Sequence, residues 1–147
     1  MKIENKKSGV TLSVVVIAVV LMVITISSAS IIGTRAISTA NFEEYKSELG
    51  RVSNNVNEYY LSNKKLPVTN EIIDINTVDT GLKNAIITNG DDNDTMYVVD
   101  MSAIADSSIE NGKGTVESKD VYLVSSKNQN VYYLKGFKYN GTVYYNN

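Results

Sequence analysis

From Val10 to Ile32 every position is apolar, Ser or Thr, with no Asp, Glu, Lys, Arg, Asn, Gln, Gly or Pro to interrupt the run. At roughly 1.5 Å per residue, a helix of that length crosses a hydrocarbon core about 30 Å thick. A different period takes over further on. Phe42, Tyr45, Leu49, Val52, Val56 and Tyr59 recur at alternating steps of three and four. That spacing lines one face of a helix and leaves Glu43, Glu44, Lys46, Glu48, Arg51 and Glu58 mostly off it. The two patterns predict one long helix from about Val10 to about Leu61, apolar all round at first and amphipathic afterwards. Gly33 costs such a helix about 1 kcal/mol relative to alanine without ending it. Pro67 closes it, because the residue before a proline is pushed out of the helical region, and Asn63-Lys64-Lys65 suits a helix C-terminus. A short coiled coil is the competing reading of the stripe. The stripe covers fewer than three heptads and carries aromatics where leucine is expected, so packing on a sheet fits it better.

Between Glu71 and Ile109 the pattern is weak. Ile72-Ile73-Asp74-Ile75 reads as a short strand or helical turn, and Leu82 to Thr88 is mixed. Met96-Tyr97-Val98-Val99 reads as a strand followed by a helical turn from Met101 to Ala105. The end of the chain is clearer. Val121-Tyr122-Leu123-Val124, Val131-Tyr132-Tyr133-Leu134 and Thr142-Val143-Tyr144-Tyr145 are β-branched and aromatic, and Asn140-Gly141 is a two-residue hairpin signal. Three antiparallel strands in a meander are expected, in a region that holds six of the ten tyrosines, with one face burying rings against the helix stripe. The fold class is therefore α+β: a long N-terminal helix, membrane-spanning in its first half and amphipathic in its second, packed on a small C-terminal antiparallel β-meander. The segments are a basic leader at 1–9, a membrane or assembly helix at 10–33, its amphipathic continuation at 34–66, and a globular domain at 67–147.

Charge gives the helix a direction. Lys2, Lys6 and Lys7 precede the apolar run against a single Glu4, so the positive-inside bias holds the leader in the cytoplasm and exports the rest. The net charge of −2 hides this asymmetry, since the exported part is mildly acidic and offers no basic face for nucleic acid. Histidine, cysteine and tryptophan are absent, which excludes zinc fingers, thiolate nucleophiles, Ser-His triads and disulfides. No phosphate-binding glycine-lysine motif occurs, and Gly112-Lys113-Gly114 is a turn signal. Glu110 and Glu117 form no recognisable acid/base pair, so no enzymatic activity is expected. Asp91, Asp92 and Asp94 follow Asn89-Gly90 and offer oxygen ligands to calcium. Their spacing departs from an EF-hand loop, and a solvated Asx-rich turn is the preferred reading, with no cofactor required. A cleaved secretory signal is the other reading of the apolar run, with a cut after Ala29 or Ser30; the run is longer than such signals usually are.

The junction Lys6-Lys7-Ser8-Gly9-Val10-Thr11-Leu12 carries a resemblance. A leader ending in basic residues and glycine, then a Thr-Leu pair opening an apolar helix, resembles the type IV pilin-like proteins, which include pilins, minor pilins and pseudopilins. Tyr59-Tyr60-Leu61-Ser62-Asn63-Lys64-Lys65-Leu66-Pro67 is similar to the family's tyrosine, polar stretch and proline at the end of the helix. The resemblance covers residues 6–67 in detail and 68–147 in layout only. It implies a structural subunit of a pilus, secretion or competence filament in a bacterial cell membrane. A prepilin peptidase would recognise Lys6, Lys7 and Gly9 and cut before Val10, and the Thr11-Leu12 helix would then assemble with other pilin-like subunits. The pattern is broken at Val14, where the family usually has a glutamate thought to pair with a neighbour's N-terminal amine. Loss of that acid fits a minor or tip-like subunit better than a major one. The alternative is an uncleaved, single-pass anchored extracellular binding module.

Overall fold

The computed structural model describes the backbone of residues 12–147 and the side chains of residues 37–147. The described residues fall into two compact units divided after Ser38. Helix α1 (Leu12–Asn63) supplies all of the first unit's described structure and opens the second. The anchor segment read at 10–33 lies outside the residues whose side chains are described. Among the described residues no helix is long and apolar enough to cross a membrane.

The second unit is α+β. After α1 come β1 (Val68–Ile73), α2 (Thr80–Thr88), β2 (Met96–Val99), α3 (Met101–Ile104), β3 (Tyr122–Ser125), β4 (Val131–Tyr133), β5 (Phe137–Tyr139) and β6 (Thr142–Tyr144). β1 to β4 form one antiparallel sheet in sequence order, while β5 and β6 pair only with each other.

The stripe packs as its spacing requires from Phe42 to Val56, while Tyr59, half-buried, lies outside the core. Tyr45, Leu49, Val52 and Val56 are buried against Val99, Tyr122, Val124, Val131 and Tyr133 on one sheet face, with Phe42 packed at the margin. Each such aliphatic side chain contributes about 1.5–3 kcal/mol by leaving water. The helix ends at Asn63, next to Lys64 in the left-handed region at φ 56°, whose N–H donates to the Tyr60 carbonyl at 2.8 Å. That geometry closes the last turn.

Three expectations need correction. First, the sheet is not buried on one face only: α2 covers the other, with Leu82 and Ile86 packed on Met96, Val98, Leu123, Tyr132 and Leu134. Burial on both sides explains why β3 and β4 are continuously buried where a half-solvated strand would alternate. Second, Thr142–Tyr144 is not the third strand of a meander with β3 and β4. The Asn140-Gly141 turn, with φ 48° and 81°, joins it to Phe137–Tyr139, a strand three residues long that the sequence pattern does not announce. The core sheet instead gains β1 and β2 on its other side, so Ile72 and Ile73 are strand and Ile75 is not. Third, Glu48 does not lie off the helix's packed face; it is 2% exposed.

Candidate functional site

Glu48 follows Tyr45 by three residues and precedes Val52 by four, so the helical period turns its carboxylate inward. Oε1 accepts from the Tyr122 hydroxyl at 2.6 Å and from the Asn111 backbone N–H and side-chain Nδ2, each at 3.0 Å. Oε2 accepts from the Glu110 N–H at 3.0 Å. Burial pushes the acid's pKa up, but the bonds from Tyr122 and from Glu110 and Asn111 outweigh it and hold the carboxyl below its ordinary range. The same contact, together with burial as the larger cause, drives the Tyr122 phenol well above its usual value.

The loop that meets Glu48 is built to fit. Gly112 has φ 80°, and a Cβ there would lie 2.3 Å from the Tyr122 ring, so only glycine permits the approach. Its N–H donates to Asp120 Oδ1 at 2.7 Å, which also accepts from the Tyr133 hydroxyl at 2.8 Å. Helix, loop and sheet are thus joined by two carboxylates receiving donors from three elements.

A second polar centre sits on the far face. Asp91, fully buried, accepts from the Tyr132 hydroxyl at 2.6 Å, Asn128 Nδ2 at 2.6 Å and Asn130 Nδ2 at 2.9 Å. Asn89 Nδ2 donates to the same Tyr132 oxygen at 2.9 Å. Asp94 faces Lys127, whose Nζ lies 3.1 Å away, and Asp92 is exposed. The three aspartates, expected in a solvated turn with a calcium loop as the alternative, therefore sit in three different surroundings, and Asp91 is buried rather than solvated because it receives the Tyr132, Asn128 and Asn130 donors. No group of three or more acidic, His or Cys side chains among the described residues is placed to hold a metal ion.

A third cluster joins the β5–β6 hairpin to α1. Phe42 stacks on Tyr139 at 4.3 Å and 5°, Tyr45 on Phe137 at 4.9 Å and 18°, and the Tyr45 hydroxyl donates to the Tyr144 carbonyl at 2.9 Å. Of the six C-terminal tyrosines, Tyr122, Tyr132, Tyr133 and Tyr145 are buried, Tyr139 is half-buried and Tyr144 is exposed.

Lys6, Lys7, Gly9, Val10 and Thr11 lie outside the described residues. Leu12 and Val14 fall within α1, with their side chains outside the described set. Glu110 and Glu117 are both exposed. Sequence reading missed Glu48 and the inward role of Asp91; the one available signal was that Glu48 shares the helical phase of Tyr45 and Val52. The chain matches no protein-family model, no curated protein and no solved structure.

Proposed function

We propose that the protein is a non-enzymatic, pilin-like structural subunit, a minor pilin or pseudopilin of a type IV pilus, type II secretion or competence-like filament. The observation that carries the reading is the Lys6-Lys7-Ser8-Gly9 junction directly ahead of a 52-residue helix whose later part packs on an antiparallel sheet. In this reading the apolar first part of α1 spans a bacterial cell membrane once, with the leader cytoplasmic and residues beyond it extracytoplasmic. A prepilin peptidase cuts after Gly9. The freed helix leaves lipid for a bundle of sister helices, a transfer that exchanges one apolar neighbour for another, while Thr11, Ser13, Thr25, Ser27 and Ser28 allow close approach.

The fixed seating of α1 supports a structural role. A helix pulled on by neighbours needs a firm grip on its domain, and the Glu48 latch and aromatic hairpin supply one. Val14, in place of the usual glutamate, favours a minor subunit with no neighbour's amine to meet. It equally favours a second reading, an uncleaved anchored binding module. Shearing cells and probing the released fibres for the chain separates the two: a filament subunit is recovered in the fibre fraction, and a tethered module stays with the membrane.

A further inference from the structure

The tyrosines divide by what their hydroxyls do. Those of Tyr45, Tyr122, Tyr132, Tyr133 and Tyr139 are each held by another group of the fold. The hydroxyls of the other five, Tyr59, Tyr60, Tyr97, Tyr144 and Tyr145, have no such bond among the described residues, and of these Tyr59, Tyr60 and Tyr97 lie together. They line one groove, of about 610 Å³, between the end of α1, the Lys65–Val68 connection and β2, and no hydroxyl of the three has a protein partner among the described residues. Lys65, Asp100 and Ser126 share its wall with the apolar Leu66, Pro67, Val68 and Ala103. Asp100 Oδ1 is occupied by the Ser102 N–H and hydroxyl, leaving Oδ2 without a partner among the described residues. Tyr60 is 36% exposed, and Tyr59 and Tyr97 are half-buried, so all three keep surface that a ligand can reach.

This lining selects a ligand class. An anion attracted by Lys65 meets Asp100, and a cation attracted by Asp100 meets Lys65, so neither sign of charge is matched. A wholly apolar ligand would dehydrate three phenols and a carboxylate without replacing their hydrogen bonds, an unfavourable exchange. An uncharged ring with an apolar C–H face and hydroxyls on its rim satisfies every group: the face lies on a tyrosine ring, while the rim donates to Asp100 Oδ2 and accepts from Lys65 and the phenols. Tyrosine gives such contacts at small cost in side-chain entropy. The volume falls within the range of small-ligand sites, about 300–1,000 Å³.

We infer that this groove binds a neutral oligosaccharide. The inference is independent of whether the leader is cut, since it concerns the folded unit beyond Ser38 alone.

The test is saturation-transfer NMR on the full chain in detergent, titrated separately with chitotriose, cellotriose and maltotriose and with a proline-rich peptide. At least one trisaccharide is expected to bind saturably in the millimolar range, with an affinity unmoved by salt because the ligand carries no charge. Tyr60→Ala, at an exposed position, and Asp100→Asn, which keeps the Oδ1 cap, should each weaken that binding by about tenfold or more. Both variants should keep the wild-type near-ultraviolet circular dichroism, so that loss of binding is not loss of fold. Three results overturn the proposal: no trisaccharide saturates, saccharide binding is undiminished in both variants, or only the proline-rich peptide binds. The last outcome would make the groove a peptide site instead.

Discussion

The Tyr122 hydroxyl donates to Glu48 Oε1 at 2.6 Å, joining residues 74 positions apart with both side chains buried. A carboxylate sealed into a helix-sheet interface is tolerable because both its oxygens accept hydrogen bonds, four in all. Removing one partner is then more damaging than the bond's own strength suggests, since the others are left dehydrated and unpaired. Helix α1 is therefore registered on its domain by chemistry as well as by apolar packing.

Tyr122→Phe removes one donor and keeps the ring, and should cost about 1.5–3 kcal/mol. Glu48→Ala strands the Tyr122 hydroxyl and the Glu110 and Asn111 amides together, and should cost about 3 kcal/mol or more. Urea unfolding of the full chain in detergent, followed by near-ultraviolet circular dichroism of the tyrosines, measures both. Equal stability of Glu48→Ala and wild type would remove the latch from the account.

The pH dependence follows from the same groups. The folded Glu48 carboxyl titrates below its ordinary value of 4.5, so its contribution is present above that pH and is lost as pH falls through the lower folded value. On the alkaline side, burial foremost raises the phenols of Tyr45, Tyr122, Tyr132 and Tyr133 above the ordinary 10.0. Their contribution is present below 10.0 and is lost as pH rises beyond it. Ultraviolet absorbance should show these phenolates appearing together with unfolding, separately from those of exposed tyrosines. Glu48→Gln should flatten the acid limb and, by removing the charge that helps hold the Tyr122 phenol up, bring the onset of the alkaline limb to lower pH.

Gly112→Ala places a methyl against the Tyr122 ring at a backbone angle that favours glycine, and should destabilise by about 2 kcal/mol or more. Gly90→Ala is the comparison. Gly90 also has positive φ, but no atom lies within 4 Å of its added Cβ, so the loss should stay near 1 kcal/mol. Thermal unfolding of the two variants separates crowding from conformational cost.

Much of this architecture was readable in advance, for reasons that differ by element. The α1 stripe is legible because helical periodicity is local, and the Asn140-Gly141 turn because positive φ selects those two residues. Tyr122 and Tyr132 belong to strands read correctly from composition, yet they face opposite sides of the sheet. The second side went unseen because α2 buries only Leu82 and Ile86 in it, a single step of four within nine residues, with Ala85 half-buried beside them. Phe137–Tyr139 is too short to show alternation. Glu48 was hidden by its chemistry: a carboxylate in phase with apolar neighbours reads as solvated until its donors arrive, 62 to 74 residues later.

Asp91 gives a prediction about calcium. Its oxygens already receive three donors from Tyr132, Asn128 and Asn130. A cation would have to displace them, so adding calcium or a chelator should leave the melting temperature unchanged. Asp91→Ala, which strands those donors, should lower stability by about 2–3 kcal/mol with or without the ion. A calcium-dependent rise in melting temperature that vanishes in Asp91→Ala would reverse this.

The central claim, that the N-terminal helix is a processed assembly element, is tested most directly at its first peptide bond. N-terminal sequencing of the protein from the cell envelope, with Gly9 intact and with Gly9 replaced by a bulky residue, is the measurement. A mature chain beginning at Val10, lost on replacement of Gly9, is the predicted result. A chain still beginning at Met1, or one beginning near Ser30 in both proteins, contradicts it.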